Sequence, residues 1–237
     1  MPKQSTKTKV DGQPATRDRL VEAALTLFRR QGYAATGVKA VLAAANAPYG
    51  SLYHWFPGGK QQLGVAAVAH GGENYRAMLE ARYPVGTDVV ESTSASFAAA
   101  AQILEATEFA DSCPIATIAL EVANSDEPMR IAAANAFESW LKVAEERFTE
   151  AGMTAGHARD AAVVVFSLIE GAALLARTTR STAPLFAAGR TAATAVAAAL
   201  AESRDEVGNA REARRSPPPS GARRPKAAKK EASKASA

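Results

Sequence analysis

From Thr16 to about residue 202 the apolar residues return every three or four positions, and no run of alternating β-branched residues bounded by turn signals interrupts them. That period is the helical one, so it limits the chain to packed helices. In "TRDRLVEAALTLFRRQG", Leu20, Ala23, Ala24, Leu27 and Phe28 fall on one face, with Thr16 read as the N-cap and Gly32 as the residue that ends the helix. Val38, Val41, Leu42 and Ala45 outline a second, short helix. After Lys60 six further segments carry the same period, and alanine, the best helix former, is abundant in them. The Gly71-Gly72 pair weakens the first of these; a proline near the first turn and a closing glycine frame "EPMRIAAANAFESWLKVAEERFTEAG". The expected fold class is all-α.

One stretch breaks the pattern. "ANAPYGSLYHWFPGGK", residues 45–60, holds four aromatic rings among two prolines, three glycines and an asparagine. Two short helices ending near Ala45, a tight turn and a third short helix describe a helix-turn-helix. Asn46 tolerates the left-handed backbone that the turn needs, and Pro48 suits the first position of the next helix, where a missing N–H costs nothing. Leu52 and Phe56, four residues apart, point back into a small core, and Trp55 braces the unit. Tyr49, Ser51, Tyr53 and His54 are left on the outside or the rim.

With "LVEAALTLFRRQGY" ahead of it, "TGVKAVLAAANAPYGSLYHWFPGGKQQL" resembles the DNA-binding domain of TetR-family transcriptional regulators over residues 16–65. The later "CPIATIALEVANSDEPMRIAAANAFESW" is similar to the LmrA/YxaF-like branch of that family. The resemblance implies roles. Thr36 and Gly37 stand where the second helix starts beside a DNA phosphate, and Lys39 follows on it. Pro48, Tyr49 and Gly50 open the recognition helix, whose first turn faces base edges in the major groove. Tyr53 and His54 occupy positions that reach backbone phosphates, and Lys60 begins a fourth helix where its charge and the free N–H groups favour another. The family often has glycine at Asn46 and a polar residue, commonly lysine, at Tyr49. Tyrosine cannot make arginine's bidentate contact with guanine, so the operator sequence is not legible here.

Charge divides the chain. Residues 1–60 hold nine Lys/Arg against three Asp/Glu, residues 61–202 nine against seventeen, and residues 203–237 ten against four. Two basic ends flank an acidic middle, the asymmetry expected when one part meets a polyanion and another does not. The organisation read from this is a flexible basic arm at 1–15, a helix-turn-helix domain at 16–62, a helical ligand-binding and dimerisation domain at 63–202, and a disordered basic tail at 203–237. The tail's proline triplet, lack of rings and "VGNA" break argue against a packed core.

The sequence offers little to an enzyme. His54, His70 and His157 are far apart and belong to no metal-binding pattern, and Gly58-Gly59 before Lys60 lacks the spacing of a phosphate loop. No nucleophile, base and oxyanion donor assemble, so no catalytic residue, metal or cofactor is expected. Cys113, the single cysteine, has no partner for a disulfide and reads as a buried structural residue; Met78, Met129 and Met153 read as packing. The polar, basic N-terminus is unlike a signal peptide, and no uninterrupted apolar stretch reaches the roughly 18–20 residues that span a bilayer. A cytoplasmic, nucleoid-associated protein without a membrane partner is expected.

A lone helix-turn-helix touches too few base pairs to select one site, so a homodimer on palindromic double-stranded DNA is expected. The nearly all-apolar "DAAVVVFSLIEGAALLA" and the alanine-rich "PLFAAGRTAATAVAAAL" are suited to the interface, and the resemblance implies a four-helix one. It also implies a ligand cavity among the middle helices, with Phe97, Phe109, Phe137, Trp140 and Phe166 as candidate wall residues. The acidic middle favours a neutral or cationic apolar inducer over an anion. The expected function is a ligand-responsive transcriptional regulator, a repressor released from its operator by a small apolar molecule. The alternative is an architectural protein that coats DNA through its basic tail, without sequence preference.

Overall fold

The computed structural model describes residues 15–111 and 113–215, and within them every regular element is a helix. In order these are α1 (Thr16–Gln31), α2 (Val38–Ala44), α3 (Ser51–Trp55), α4 (Gly59–Arg82), α5 (Val89–Ala106), α6 (Pro114–Val122), α7 (Glu127–Glu150), α8 (Ala155–Thr179) and α9 (Ala183–Arg215). The all-α expectation holds. The expected arm lies outside the described residues except for Ala15, as does the tail beyond Arg215.

The first three helices form a small head. α1 buries Leu20, Val21, Ala24, Leu25 and Phe28, a wider stripe than expected, while Ala23 and Leu27 are half-buried. Its N-cap is Ala15 rather than Thr16, so the threonine is the first helical residue and its hydroxyl accepts from Arg19. At the other end Gly32 has φ 87°, and its N–H closes on the Phe28 carbonyl at 2.9 Å. Val41, Leu42, Leu52 and Phe56 complete the core of the head, and the Arg17 guanidinium lies 5.6 Å from the centre of the Phe56 ring.

α4 starts in the head and runs 24 residues without a break into the second domain. The glycines expected to weaken it are instead its contact points. A Cβ on Gly71 would stand 2.7 Å from Leu25 of α1, and one on Gly72 2.8 Å from the Ala136 Cβ of α7. Absence of side chains lets three helices approach closely, and dense packing replaces the helix propensity forgone. α4 lies along α7 and α1, α7 along α8, and α9 against both α8 and α5. Trp140 is fully buried at the centre, its ring 4.2 Å from Tyr75 and 5.2 Å from Phe137.

α9 corrects the expected disorder from residue 203. The helix continues to Arg215, through Gly208. Ser203 is buried, and its hydroxyl bonds the Thr154 N–H at 3.0 Å and the His157 Nδ1 at 2.8 Å, tying the start of α8 to these late turns. Glu202 and Glu206 face the same imidazole at 3.6 and 3.8 Å. Those anchors supply tertiary contacts that composition alone does not reveal.

Candidate nucleic-acid interface and effector cavity

The turn between α2 and α3 forms as Asn46 allows. Asn46 has φ 46°, and the Ala47 N–H returns to the Leu42 carbonyl at 2.9 Å. Arg19 Nε donates to the Ala45 carbonyl at 3.1 Å, holding the end of α2 against α1. Pro48 is not the first helical residue: its carbonyl accepts from the Ser51 N–H at 2.9 Å, closing a turn, and α3 begins at Ser51 after Gly50. With Leu52 and Phe56 inside, Tyr49 and Tyr53 stand 67% and 57% exposed, and His54 is exposed with its ring edge-on to Trp55. Pro48, Gly50, Gly37 and Lys39 are also exposed.

Two expected contact residues sit differently. Thr36 is fully buried; its hydroxyl donates to the Gly32 carbonyl at 2.6 Å and accepts from Gln31 Nε2, so it sets the α1–α2 loop and offers nothing outward. Lys60 is half-buried, its ammonium 4.4 Å above the Tyr33 ring and 3.3 Å from the Ala34 carbonyl. Partial burial pulls its pKa below the ordinary lysine value, and the Glu121 carboxylate opposes that shift.

Glu121, at the end of α6, holds the same loop from the second domain. Its two oxygens accept from the Tyr33 N–H at 3.1 Å and the Ala34 N–H at 2.7 Å. A second clamp joins Asp111, in the α5–α6 loop, to Arg29 Nη2 at 2.8 Å and Arg30 Nε at 3.0 Å on the last turn of α1. Behind that loop Arg177 of α8 donates to the carbonyls of Phe109 and Ala110.

These clamps adjoin a cavity of about 230 Å³ lined by residues of α4, α5, α6, α7 and α8, with Arg29 and Asp111 in its wall. Of the five aromatic residues expected to line it, only Phe166 does. Phe97 is buried against Gly189 of α9, Trp140 fills the centre of the core with the Phe137 ring perpendicular to its own, and Phe109 sits in the α5–α6 loop at φ 60°. The lining instead includes Tyr75, Met78 and Arg82 of α4 with Cys113 and Glu170. Met78 is therefore a wall residue rather than core packing. Cys113 caps α6, its sulfur accepting from the Ala116 N–H at 3.4 Å, and burial pushes its thiol pKa well up. Burial also raises the Glu170 carboxyl, against a hydrogen bond from Cys113 that lowers it. The feature of the sequence that marks this cavity is not a ring but a lone carboxylate inside the apolar run "VVVFSLIEGAALLA".

An exposed helix-turn-helix joined through one long helix to an all-helical domain with a cavity between its helices defines a class of helical DNA-binding regulators. Residues 20–67 match the family model for bacterial regulatory proteins of the tetR family, and residues 89–191 that of the LmrA/YxaF-like transcriptional regulator C-terminal domain. The HTH-type transcriptional regulator LmrA of Bacillus subtilis (strain 168) is 34% identical over 170 residues, 72% of this chain and 90% of its own. YxaF of the same organism is 31% identical over 170 residues, covering 72% and 89%. The fold of reduced E. coli NemR superposes with a TM-score of 0.68 at 23% identity, over 75% of this chain and 94% of that one. This chain belongs to the TetR family of transcriptional regulators, in its LmrA/YxaF-like branch.

Proposed function

We propose that the protein is a ligand-responsive repressor that binds a palindromic operator as a homodimer and leaves it when a small, largely apolar molecule occupies the cavity. The observation that carries this reading is the continuity of α4. Its first turn, with Lys60, belongs to the head, and its last two turns place Tyr75, Met78, Leu79 and Arg82 in the cavity wall. A change in the wall is then a change in the orientation of the head.

On the DNA side, Tyr49 and the backbone at Pro48 and Gly50 meet base edges, while Tyr53, His54, Lys39 and the Gly37 end of α2 meet phosphates. Thr36 positions the loop from within. Lys60 has three ammonium donors, of which the Ala34 carbonyl takes one, leaving others to donate to a phosphate. The dimer face is the outer side of α8, where Val163, Val164, Leu174 and Leu175 are exposed beside Gly171, together with Phe186 on α9. By length and composition α8 and α9 could each cross a membrane; a four-helix interface gives their apolar surface a different destination. The inducer is neutral or cationic, since the surrounding domain is acidic, while the wall itself balances Arg29 and Arg82 against Asp111 and Glu170.

Repression and release are a population shift. The loss of operator affinity equals the ligand's preference for the state with displaced heads, so about 1.4 kcal/mol of preference gives a tenfold loss. Binding of the full chain to the DNA upstream of its own gene, against scrambled DNA at physiological salt, tests the reading. Tighter binding to the upstream DNA is expected. Tyr49→Ala should relax the sequence preference, and Lys60→Ala should weaken binding to every sequence while lowering the salt slope by about one. Equal binding to both DNAs that disappears when residues 216–237 are removed would replace this reading with the architectural one.

A further inference from the structure

Arg29 belongs to the head yet forms part of the cavity wall. Its Nη2 is held by Asp111 Oδ2 at 2.8 Å, and the other Asp111 oxygen is held by Arg30 Nε at 3.0 Å, so both carboxylate oxygens are occupied. The Asp111 side chain is only 10% exposed. Arg29 Nε is the one buried side-chain donor or acceptor without a partner among the described residues. A buried donor on a charged group left unsatisfied is costly, and such groups call for an explanation. Here an explanation is at hand: the side chain that carries the donor lines a cavity with room for an acceptor, and turning the guanidinium toward that space would bring its free N–H within reach.

We propose that Arg29 is the effector-sensing residue, and that the inducer is a neutral molecule whose carbonyl-type oxygen takes the Arg29 guanidinium and loosens its bond to Asp111. The proposal rests on the ligand-responsive reading and names the ligand chemistry and the contact that transmits it. A neutral acceptor is favoured over either ion. An anion at this position would lie beside the Asp111 carboxylate, and a cation beside Arg29 itself. The apolar remainder of the ligand lies against Phe166, Ile169 and Leu104. Because Asp111 fastens the last turn of α1 to the α5–α6 loop, and Arg177 fastens that loop to α8, drawing Arg29 away leaves Arg30 as the only arm of that clamp and loosens the head's hold on the loop. The Glu121 clamp on Tyr33 and Ala34 remains, so the head tilts about it without detaching.

A matched pair of probes tests this on the full chain: 2-acetylnaphthalene, a neutral ketone, and 2-isopropylnaphthalene, its isostere without the acceptor, measured by calorimetric titration. The wild type should bind the ketone about tenfold or more tightly than the hydrocarbon, the worth of a hydrogen bond to a charged donor. Arg29→Met should erase that preference and leave hydrocarbon affinity unchanged. Asp111→Asn should tighten ketone binding, because the ligand no longer competes with a carboxylate. Both the ketone and Asp111→Asn should speed amide exchange over residues 28–34. Equal binding of the two probes, or a preference that survives Arg29→Met, overturns the proposal and leaves the cavity's ligand role standing. If neither probe binds, both fall.

Discussion

The indole N–H of Trp140 donates to the backbone carbonyl of Gly72 at 2.8 Å, at the point where the missing Gly72 side chain lets α7 lie against α4. One contact therefore satisfies the largest fully buried side chain and fixes the crossing of α4 and α7. Trp140→Phe removes the donor and should cost about 1–2 kcal/mol. Gly72→Ala puts a methyl 2.8 Å from the Ala136 Cβ, and the overpacking, about 1–3 kcal/mol, should outweigh the roughly 1 kcal/mol of helix propensity gained. Urea midpoints by circular dichroism, at one protein concentration, check both.

The α1–α2 loop depends on a glycine for a reason beyond its backbone angle. A Cβ on Gly32 would fall 2.1 Å from Glu121 Oε1, the oxygen that accepts from Tyr33. Gly32→Ala should thus expel Glu121 and also incur the left-handed penalty of about 1–2 kcal/mol. Glu121→Ala alone should change stability little, because water can reach these amides, yet should speed exchange at Tyr33 and Ala34. The double variant should show far less than the sum of the two effects on exchange, since both remove one contact.

Glu170 gives the protein a pH dependence of unusual sign. Burial raises its carboxyl pKa, so in the folded state it holds its proton at pH values where the unfolded chain has lost it. Folded chains then bind more protons, and the group's contribution to stability falls as pH rises from the ordinary carboxyl value, about 4.3, through the raised one. Glu170→Gln should flatten that decline relative to the wild type in urea titrations taken at half-unit steps of pH. Parallel curves would show that the carboxyl titrates normally.

Leu174 and Leu175 stand 60% and 57% exposed, side by side on α8, in the face proposed for the dimer. Replacing both by glutamate should shift the chain to a monomer by analytical ultracentrifugation and abolish specific DNA binding, with the melting of the head core unaffected. A variant that stays dimeric would move the interface elsewhere.

The head was legible in the sequence because its constraints are local. Asn46 at positive φ, Leu52 and Phe56 four residues apart, and Gly32 after Arg29-Arg30 each answer to a rule spanning a few residues. The errors there are small for the same reason: Ala15 in place of Thr16 as the cap, and a turn at Pro48 ahead of the helix. Thr36 differs, because its inward direction depends on Gln31 and Gly32 being brought to it by the loop. The cavity was not legible. Its walls are set by where α4, α5, α6, α7 and α8 diverge, so rings such as Phe97 and Trp140 went to the core, and Tyr75, Cys113 and Glu170 came to the surface of the space. The late turns of α9 were hidden likewise, since Ser203 becomes an anchor only once Thr154 and His157 are beside it.

A helix that begins in the head and ends at the cavity also restricts how such proteins can diversify. Because α4 passes residue 62 without interruption, an exchange of heads between relatives must be spliced inside a helix. Inserting or deleting a single residue there would turn everything beyond it by about 100° and shift it by 1.5 Å. Gly64, Gly71 and Gly72 would then present side chains of other residues to Met129, Leu25 and Ala136, contacts with no room for them. Recombination can therefore preserve the fold only when it keeps the count of residues between Lys60 and Tyr75. In this architecture a new pairing of operator and inducer must come from substitution or from splices of equal length, and a change in length between the two sites reads as a frameshift in three dimensions.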